Sequence, residues 1–330
     1  MRRPAIDLRR RRLLIAGALA GAGAGLSLPR AAAAEAGARP VSVRDFDWFD
    51  ARRERAVPVR LYLPQHARPG ETLPLVVFSH GIGGSRRGYS YLGYFWASQG
   101  LASLHLQHVG SDRGVWFGNP LGLLGRLGEA ARDGEAIHRV HDLRYALDQL
   151  LAGELAPRID VGRIVAAGHS YGANTTLLAA GARVQREGRT LDLREPRLRG
   201  AIVISAPPFY GEGEPRAILG GVHVPSLHVT ATEDVIRIPG YWSGAEDRVA
   251  VFDAIGGPRK LLAVFNGGSH SMFTDRAGTG GVVLNPEVKD ATRELTLAFL
   301  REVFLGDGSD LAPWGERHRD ILARYVMAAG

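Results

Sequence analysis

The chain of 330 residues contains no cysteine. That absence excludes disulfides, thiolate metal sites and a cysteine nucleophile together. Long hydrophobic runs are also missing. The longest, Leu13 to Leu28, is broken by glycines and, at about 16 residues, falls short of the ~20 that span a bilayer. Nor is there a lasting excess of one charge. The formal net charge is +7, but seven of the 41 basic residues and only one of the 34 acidic ones lie in residues 1–34. Beyond that segment the two signs nearly balance, so the chain has no electrostatic footprint for nucleic acid. It has no internal repeat and no long low-complexity linker.

What the amino terminus does contain is a layered pattern. Met1 to Arg12 is rich in arginine, an apolar stretch follows, and "RAAAAEA" offers small residues in A-x-A spacing. This is the layout of an export signal. "RRRRLLIAG" sets paired arginines directly before the apolar core, which resembles a twin-arginine signal. The expectation is a signal peptide over 1–34, cleaved within 32–36. Residues 35–330 would then form one domain, periplasmic or extracellular, with no stable membrane insertion after cleavage. Export in the folded state needs no disulfides, which agrees with the missing cysteines.

Along the rest of the chain, short apolar runs alternate with helical patterns. "VPVRLYLP" (57–64), "LPLVVFSH" (73–80), "LASLHLQ" (101–107), "RIVAAG" (163–168), "GAIVISA" (200–206), "PSLHVTA" (225–231) and "KLLAVFN" (260–266) read as strands. Several are apolar at consecutive positions, as a sheet covered on both faces requires. "YSYLGYFWASQG", "DGEAIHRVHDLRYALDQLLAG", "ANTTLLAAGARV" and "PEVKDATRELTLAFLREVF" read as helices. The alternation predicts an α/β fold with a mainly parallel central sheet and helices on both faces.

Within that frame, "RIVAAGHSYGANTT" (163–176) is a strand, a glycine-flanked turn and a helix. G-x-S-x-G alone is weak evidence in a chain with 43 glycines. The context adds more: a sharp strand-to-helix turn projects Ser170 from the sheet edge, and glycines on both sides remove the side chains that would clash. Ser170 is the candidate nucleophile.

From about Asp45 to Phe304 the sequence resembles the α/β-hydrolases. "VVFSHGIGGSRRGYSYLGYFWASQG", "GHSYGANT" and "GGSHSMF" are similar to secreted esterases grouped with dienelactone hydrolases, platelet-activating-factor acetylhydrolases and polyester-degrading cutinases. The dienelactone activity does not carry over, because those enzymes use cysteine. The resemblance implies a triad in the chain order serine, acid, histidine. Only His270 and His318 follow both Ser170 and a plausible acid; His270, in "GGSH" after a strand, is the candidate base. Asp234, just past "SLHVTA", is the candidate acid, with adjacent Glu233 as its rival. The H-G-x pattern in "SHGIGG" implies that the Ile82 backbone N–H pairs with that of Tyr171 to hold an oxyanion.

Other features have less defined roles. Tyr89, Tyr91, Tyr94, Phe95 and Trp96 read mainly as a helix packed on the sheet, with Tyr89 also a candidate for the substrate pocket. Residues 112–134 read as an insertion on the functional edge, either a lid or a surface excursion, and supply Trp116 and Phe117 as further pocket candidates. His105 with His108 and His138 with His141 repeat an H-x-x-H spacing, but no carboxylate set accompanies them, so no metal and no cofactor is expected. The expected activity is hydrolysis of a small-molecule, lipid or polymer ester through an acyl-enzyme. A peptidase or amidase using the same residues, and a noncatalytic binding protein on the same fold, are the alternatives.

Overall fold

The computed structural model describes residues 39–65, 70–186, 188–211, 213–238 and 240–328. The expected export signal lies outside the described residues. A nine-stranded sheet organises the chain, in the order β1-β2-β4-β3-β5-β8-β9-β10-β11. Its interior is β4 (Ala102–Leu106), β3 (Leu73–Ser79), β5 (Ile159–His169), β8 (Leu198–Ile204), β9 (Ser226–Glu233) and β10 (Lys260–Ser269), all parallel. One edge is an antiparallel hairpin, β1 (Val41–Asp50) and β2 (Arg55–Pro64), and β11 (Leu322–Ala328) closes the other edge antiparallel to β10.

The consecutive apolar residues of the inner strands are explained by two cores. Leu75 and Val77 of β3, with Ala166 of β5 and Val203 of β8, face α3 (Asp133–Ala152) and α4 (Tyr171–Ala180). Their neighbours Val76, Phe78, Ala167 and Ile204 face α1 (Ser90–Ser98) and α7 (Leu284–Leu305) on the opposite side. Alternate side chains along a strand point to opposite faces, so a strand buried on both must be apolar at every position. The aromatic run does pack α1 on this sheet: Trp96 is buried and its indole N–H donates to Thr296 Oγ1 at 3.0 Å.

The helix expected over "ANTTLLAAGARV" is shorter than its apolar run. Gly181 adopts φ 118° and ends α4 in the left-handed conformation. The following residues form a separate hairpin, β6 (Arg183–Arg186) with β7 (Arg189–Asp192). Four further helices complete the described chain: α2 (Leu123–Ala130), the one-turn α5 (Pro215–Leu219), α6 (Ala245–Ala254) and α8 (Leu311–Arg317). The parallel sheet, its helical layers and the strand order are those of the α/β-hydrolase fold.

Candidate active site

Ser170 occupies the junction between β5 and α4 with φ 55° and ψ −123°, a conformation that ordinary side chains avoid. Close approach explains both flanking glycines. A Cβ on Gly168 would collide with the Gly172 carbonyl, and one on Gly172 with the Ser79 carbonyl. The strained turn is held by Ser170 N–H donating to Ile204 O at 2.9 Å and by the Ser170 carbonyl accepting from Ala173 N at 2.8 Å.

Parallel strands deliver the other two residues to the same sheet edge. His270 begins a short 3-10 turn after β10, and Asp234 directly follows the neighbouring β9. His270 Nδ1 lies 2.7 Å from Asp234 Oδ1, and His270 Nε2 lies 2.8 Å from Ser170 Oγ. An ionised carboxylate can only accept, so Nδ1 carries the proton and Nε2 is left to accept from the serine hydroxyl. Asp234 is fully buried. Burial alone would raise its pKa, but the hydrogen bond and charge of His270 and the charge of Arg248, 3.5 Å away, outweigh it and hold the carboxyl well below its ordinary range. Thr230 Oγ1 donates to the second oxygen at 2.8 Å. Glu233 is exposed on β9 and does not join the series, while His318 pairs instead with Glu294 at 3.1 Å.

Ser170 and His270 open on a cavity of about 820 Å³, whose lining also includes Ile82 and Tyr171. Among the described residues no acceptor takes the backbone N–H of either. Gly81 brings the loop close: a Cβ there would stand 3.2 Å from Ser170 Cβ. Segment 112–134, with Ser111 just before it, forms a wall fastened to this loop. Gly83 N donates to Ser111 O at 2.8 Å, Arg113 N to Gly84 O at 2.7 Å, and the Trp116 indole to Gly83 O at 2.8 Å. Ile82 itself packs with Val115, Leu127 and Ala130. Trp116 lines the cavity; Phe117 does not, and is exposed. The structure therefore does not bring Phe117 to this cavity, where the sequence had offered it as a pocket candidate.

Tyr89 lines the cavity, yet its hydroxyl has other work. His169 Nε2–H donates to the His270 carbonyl at 2.9 Å, which leaves Nδ1 to accept from Tyr89 O–H at 2.8 Å. The phenol oxygen in turn receives Gly81 N–H at 3.4 Å. Burial, and then the charge of His270, push His169 down to about 3, so it remains a neutral strut between His270 and the loop that carries Gly81 and Ile82. The sequence reading overlooked this role because His169 sits at a variable position of G-x-S-x-G.

A second overlooked residue is Arg139, wholly buried on α3. It donates to the His80 carbonyl just before the oxyanion loop, to Thr175 Oγ1 on α4 at 2.8 Å and to Ser111 Oγ at 2.7 Å. Its guanidinium lies 4.5 Å from the Tyr171 ring centre. One side chain therefore ties together the loop that carries Ile82 and Gly83, the helix that begins at Tyr171 and the segment at Ser111. Burial pushes its pKa down to about 10, which leaves it charged at neutral pH. A signal was present: Glu135, Arg139 and Asp142 fall at i, i+4 and i+7 on the buried side of α3.

The paired histidines do not assemble a metal site. His105 bonds Ser103 Oγ and the Gly88 carbonyl, and His108 bonds Asp142 and Ser79. Among the described residues no group of three or more His, Asp or Glu side chains converges as metal ligation requires.

The chain is similar to known proteins in two ways. The family model of platelet-activating factor acetylhydrolase, isoform II, matches residues 54–113, from just before β2 to just past β4. A solved structure of a ferulic acid esterase from Streptomyces cinnamoneus, at 2.4 Å resolution, is 20% identical with a TM-score of 0.58. The similarity covers 82% of this chain and 92% of that one. No curated protein matches the chain.

Proposed function

We propose that the protein is an exported serine esterase that cleaves carboxylic esters through an acyl-enzyme. The observation that carries this reading is the unbroken hydrogen-bond series Asp234–His270–Ser170 opening on a cavity beside two unpaired backbone N–H groups. Ser170 Oγ attacks the ester carbonyl as its proton passes to His270 Nε2, and Asp234 stabilises the imidazolium. The carbonyl oxygen, now anionic, is held by the N–H groups of Ile82 and Tyr171. Collapse breaks the C–O bond, and the departing alcohol takes the proton from His270. Water then repeats the sequence on the acyl-enzyme, with His270 as base, and releases the acid.

The named activities of both similar proteins, an acetylhydrolase and an esterase, support the ester class. Turnover of p-nitrophenyl butyrate tests it, with a p-nitroanilide as the amide control. Ser170→Ala is expected to lower kcat at least ~10³-fold. Ester turnover undiminished in that variant overturns the reading. Export through the leader is tested separately: Arg10→Lys with Arg11→Lys is expected to trap precursor in the cytoplasm, and normal export of that variant contradicts the twin-arginine route.

A further inference from the structure

Arg248 of α6 takes no step in the proposed chemistry, yet its guanidinium is buried beside it. Its Nη2 lies 3.5 Å from Asp234 Oδ1, the same oxygen that meets His270 Nδ1. That separation is long for a hydrogen bond and short for two opposite charges. Nη1 donates elsewhere, to Ser243 Oγ at 2.8 Å. Ser243 Oγ lies 2.8 Å from the Tyr210 hydroxyl, which also bonds the Tyr241 carbonyl, so the cation is fastened to two residues of the cavity wall. Arg248 Nε and Nη2 are buried without a hydrogen-bond partner. Arg248 does not itself line the cavity, so a ligand there does not account for it. The guanidinium is held where it gives Asp234 a charge and leaves the hydrogen bond to His270 in place.

Charge balance explains why that placement is useful. Asp234 is fully buried, and a neutral His270 offers it a hydrogen bond but no positive charge. Thr230 Oγ1 offers a hydrogen bond only. A buried carboxylate without a counterion draws a proton to the nearest base, which here is His270. An imidazole already protonated cannot take the proton of Ser170. We propose that Arg248 is the resting counterion of Asp234, supplying the positive charge so that His270 need not hold one between turnovers. Arg248 then acts through Asp234, as a positioning residue for the esterase chemistry on which this role rests.

The other titratable and charged groups around the pair do not replace it. His169 of β5, its ring 4.7 Å from that of His270, is neutral. Tyr210 is neutral too, with burial pushing its hydroxyl up. Asp247, beside Arg248 on α6, accepts from Gly244 N–H at the helix start. Asp275 and Arg276, on the loop that carries His270, are exposed and line the cavity.

Arg248→Met removes the charge and keeps much of the bulk. The His270 Cε1–H resonance, followed by NMR in the free protein, is expected to titrate at least ~1 pH unit higher in this variant than in wild type, the scale of losing one nearby opposite charge. Arg248→Lys retains a cation and is expected to titrate within about half a unit of wild type. The pH at which kcat/KM for p-nitrophenyl butyrate is half-maximal is expected to rise with the NMR midpoint, while the plateau at high pH stays within about tenfold of wild type. A merely structural role lowers the plateau and leaves that pH in place. An unmoved His270 titration in Arg248→Met overturns the proposal, as does a lysine variant that titrates like the methionine one. If Arg248→Met does not fold, adding Asp234→Asn, which removes the charge left unbalanced, is expected to recover folding at alkaline pH; no recovery also overturns the proposal. The NMR titration needs no turnover. Failure of every ester to react therefore refutes the esterase reading alone, and an unmoved titration refutes the counterion alone.

Discussion

The molecule contains two serine–histidine–aspartate series with the same connectivity. In one, Asp234 meets His270 Nδ1 and His270 Nε2 meets Ser170. In the other, Asp142 meets His108 Nδ1 and His108 Nε2 meets Ser79 Oγ, both at 3.1 Å. The second is wholly buried, and none of its three residues lines the cavity. Ser79 ends an ordinary strand, whereas Ser170 stands on a strained turn at a helix start. Asp142 shares its charge with Arg53 at 2.8 Å and Arg55 at 3.0 Å, whereas among the described residues Asp234 has the more distant Arg248 besides its histidine. On the proposed reading, hydrogen-bond connectivity alone does not make a nucleophile. Access, a projecting hydroxyl, N–H groups without an acceptor among the described residues and a carboxylate committed to the histidine are what distinguish the Ser170 series from the buried one.

The sharpest contrast comes from the two carboxylates. Asp234→Asn preserves shape but offers His270 an amide, and kcat is expected to fall about 10⁴-fold. Asp142→Asn is expected to act on the fold, costing roughly 3–5 kcal/mol because Arg55 and Arg53 lose a buried partner. Denaturant melts and saturating-ester kinetics on both variants separate the two outcomes, and a large kcat loss with unchanged stability at Asp142 breaks the distinction. On the proposed reading, Arg139, bonded to Thr175, Ser111 and the His80 carbonyl, positions the oxyanion donors. Arg139→Met is expected to lower kcat about 10²-fold with little change in KM, the scale of a lost oxyanion donor. Affinity for a trifluoromethyl ketone, which needs those donors, is expected to fall in parallel; a change confined to KM contradicts this role.

The buried series also predicts acid sensitivity. Burial, joined by the charge of Arg139, pushes His108 down to about 3, and burial does the same to His105 and His228. In an unfolded chain a histidine titrates near 6.5. Between these values the unfolded state binds more protons, so stability falls as pH drops from about 6.5 towards 3, by up to ~1.4 kcal/mol per pH unit for each such group. Asp142 adds to the loss lower down, because the stability from its depressed pKa is full above the ordinary carboxylate range and is lost as pH falls through that range towards the depressed value. Tm is expected to be lower at pH 5 than at pH 7, and His108→Gln to reduce that difference. An equal drop in the variant removes His108 from the acid response. The smallest expected effect is at Glu233, exposed beside Asp234: Glu233→Gln is expected to change kcat less than about tenfold.

Much of this arrangement was legible in the sequence because it is local. The inner strands are apolar at consecutive positions, and the elbow announces itself as strand, glycine, serine, glycine and helix. Chain order after Ser170 leaves few choices for base and acid, and both follow strand ends. Other parts depended on distant partners. β1, "VSVRDFDWFD", is an edge strand with several charged exposed residues, and the β6–β7 hairpin, "RVQREGRT" at its tip, is polar along most of its length. Neither gives an apolar run. The strut from His169 to Tyr89 joins residues 80 positions apart, beyond any local pattern.

Whether only one of the two serine series is reactive can be read in a single experiment. Wild-type protein is treated with a fluorophosphonate and its labelled peptide mapped by mass spectrometry. The account predicts modification of Ser170, within the segment "RIVAAGHSYGANTT", and none of Ser79. Label on Ser79, or on any serine in place of Ser170, contradicts it.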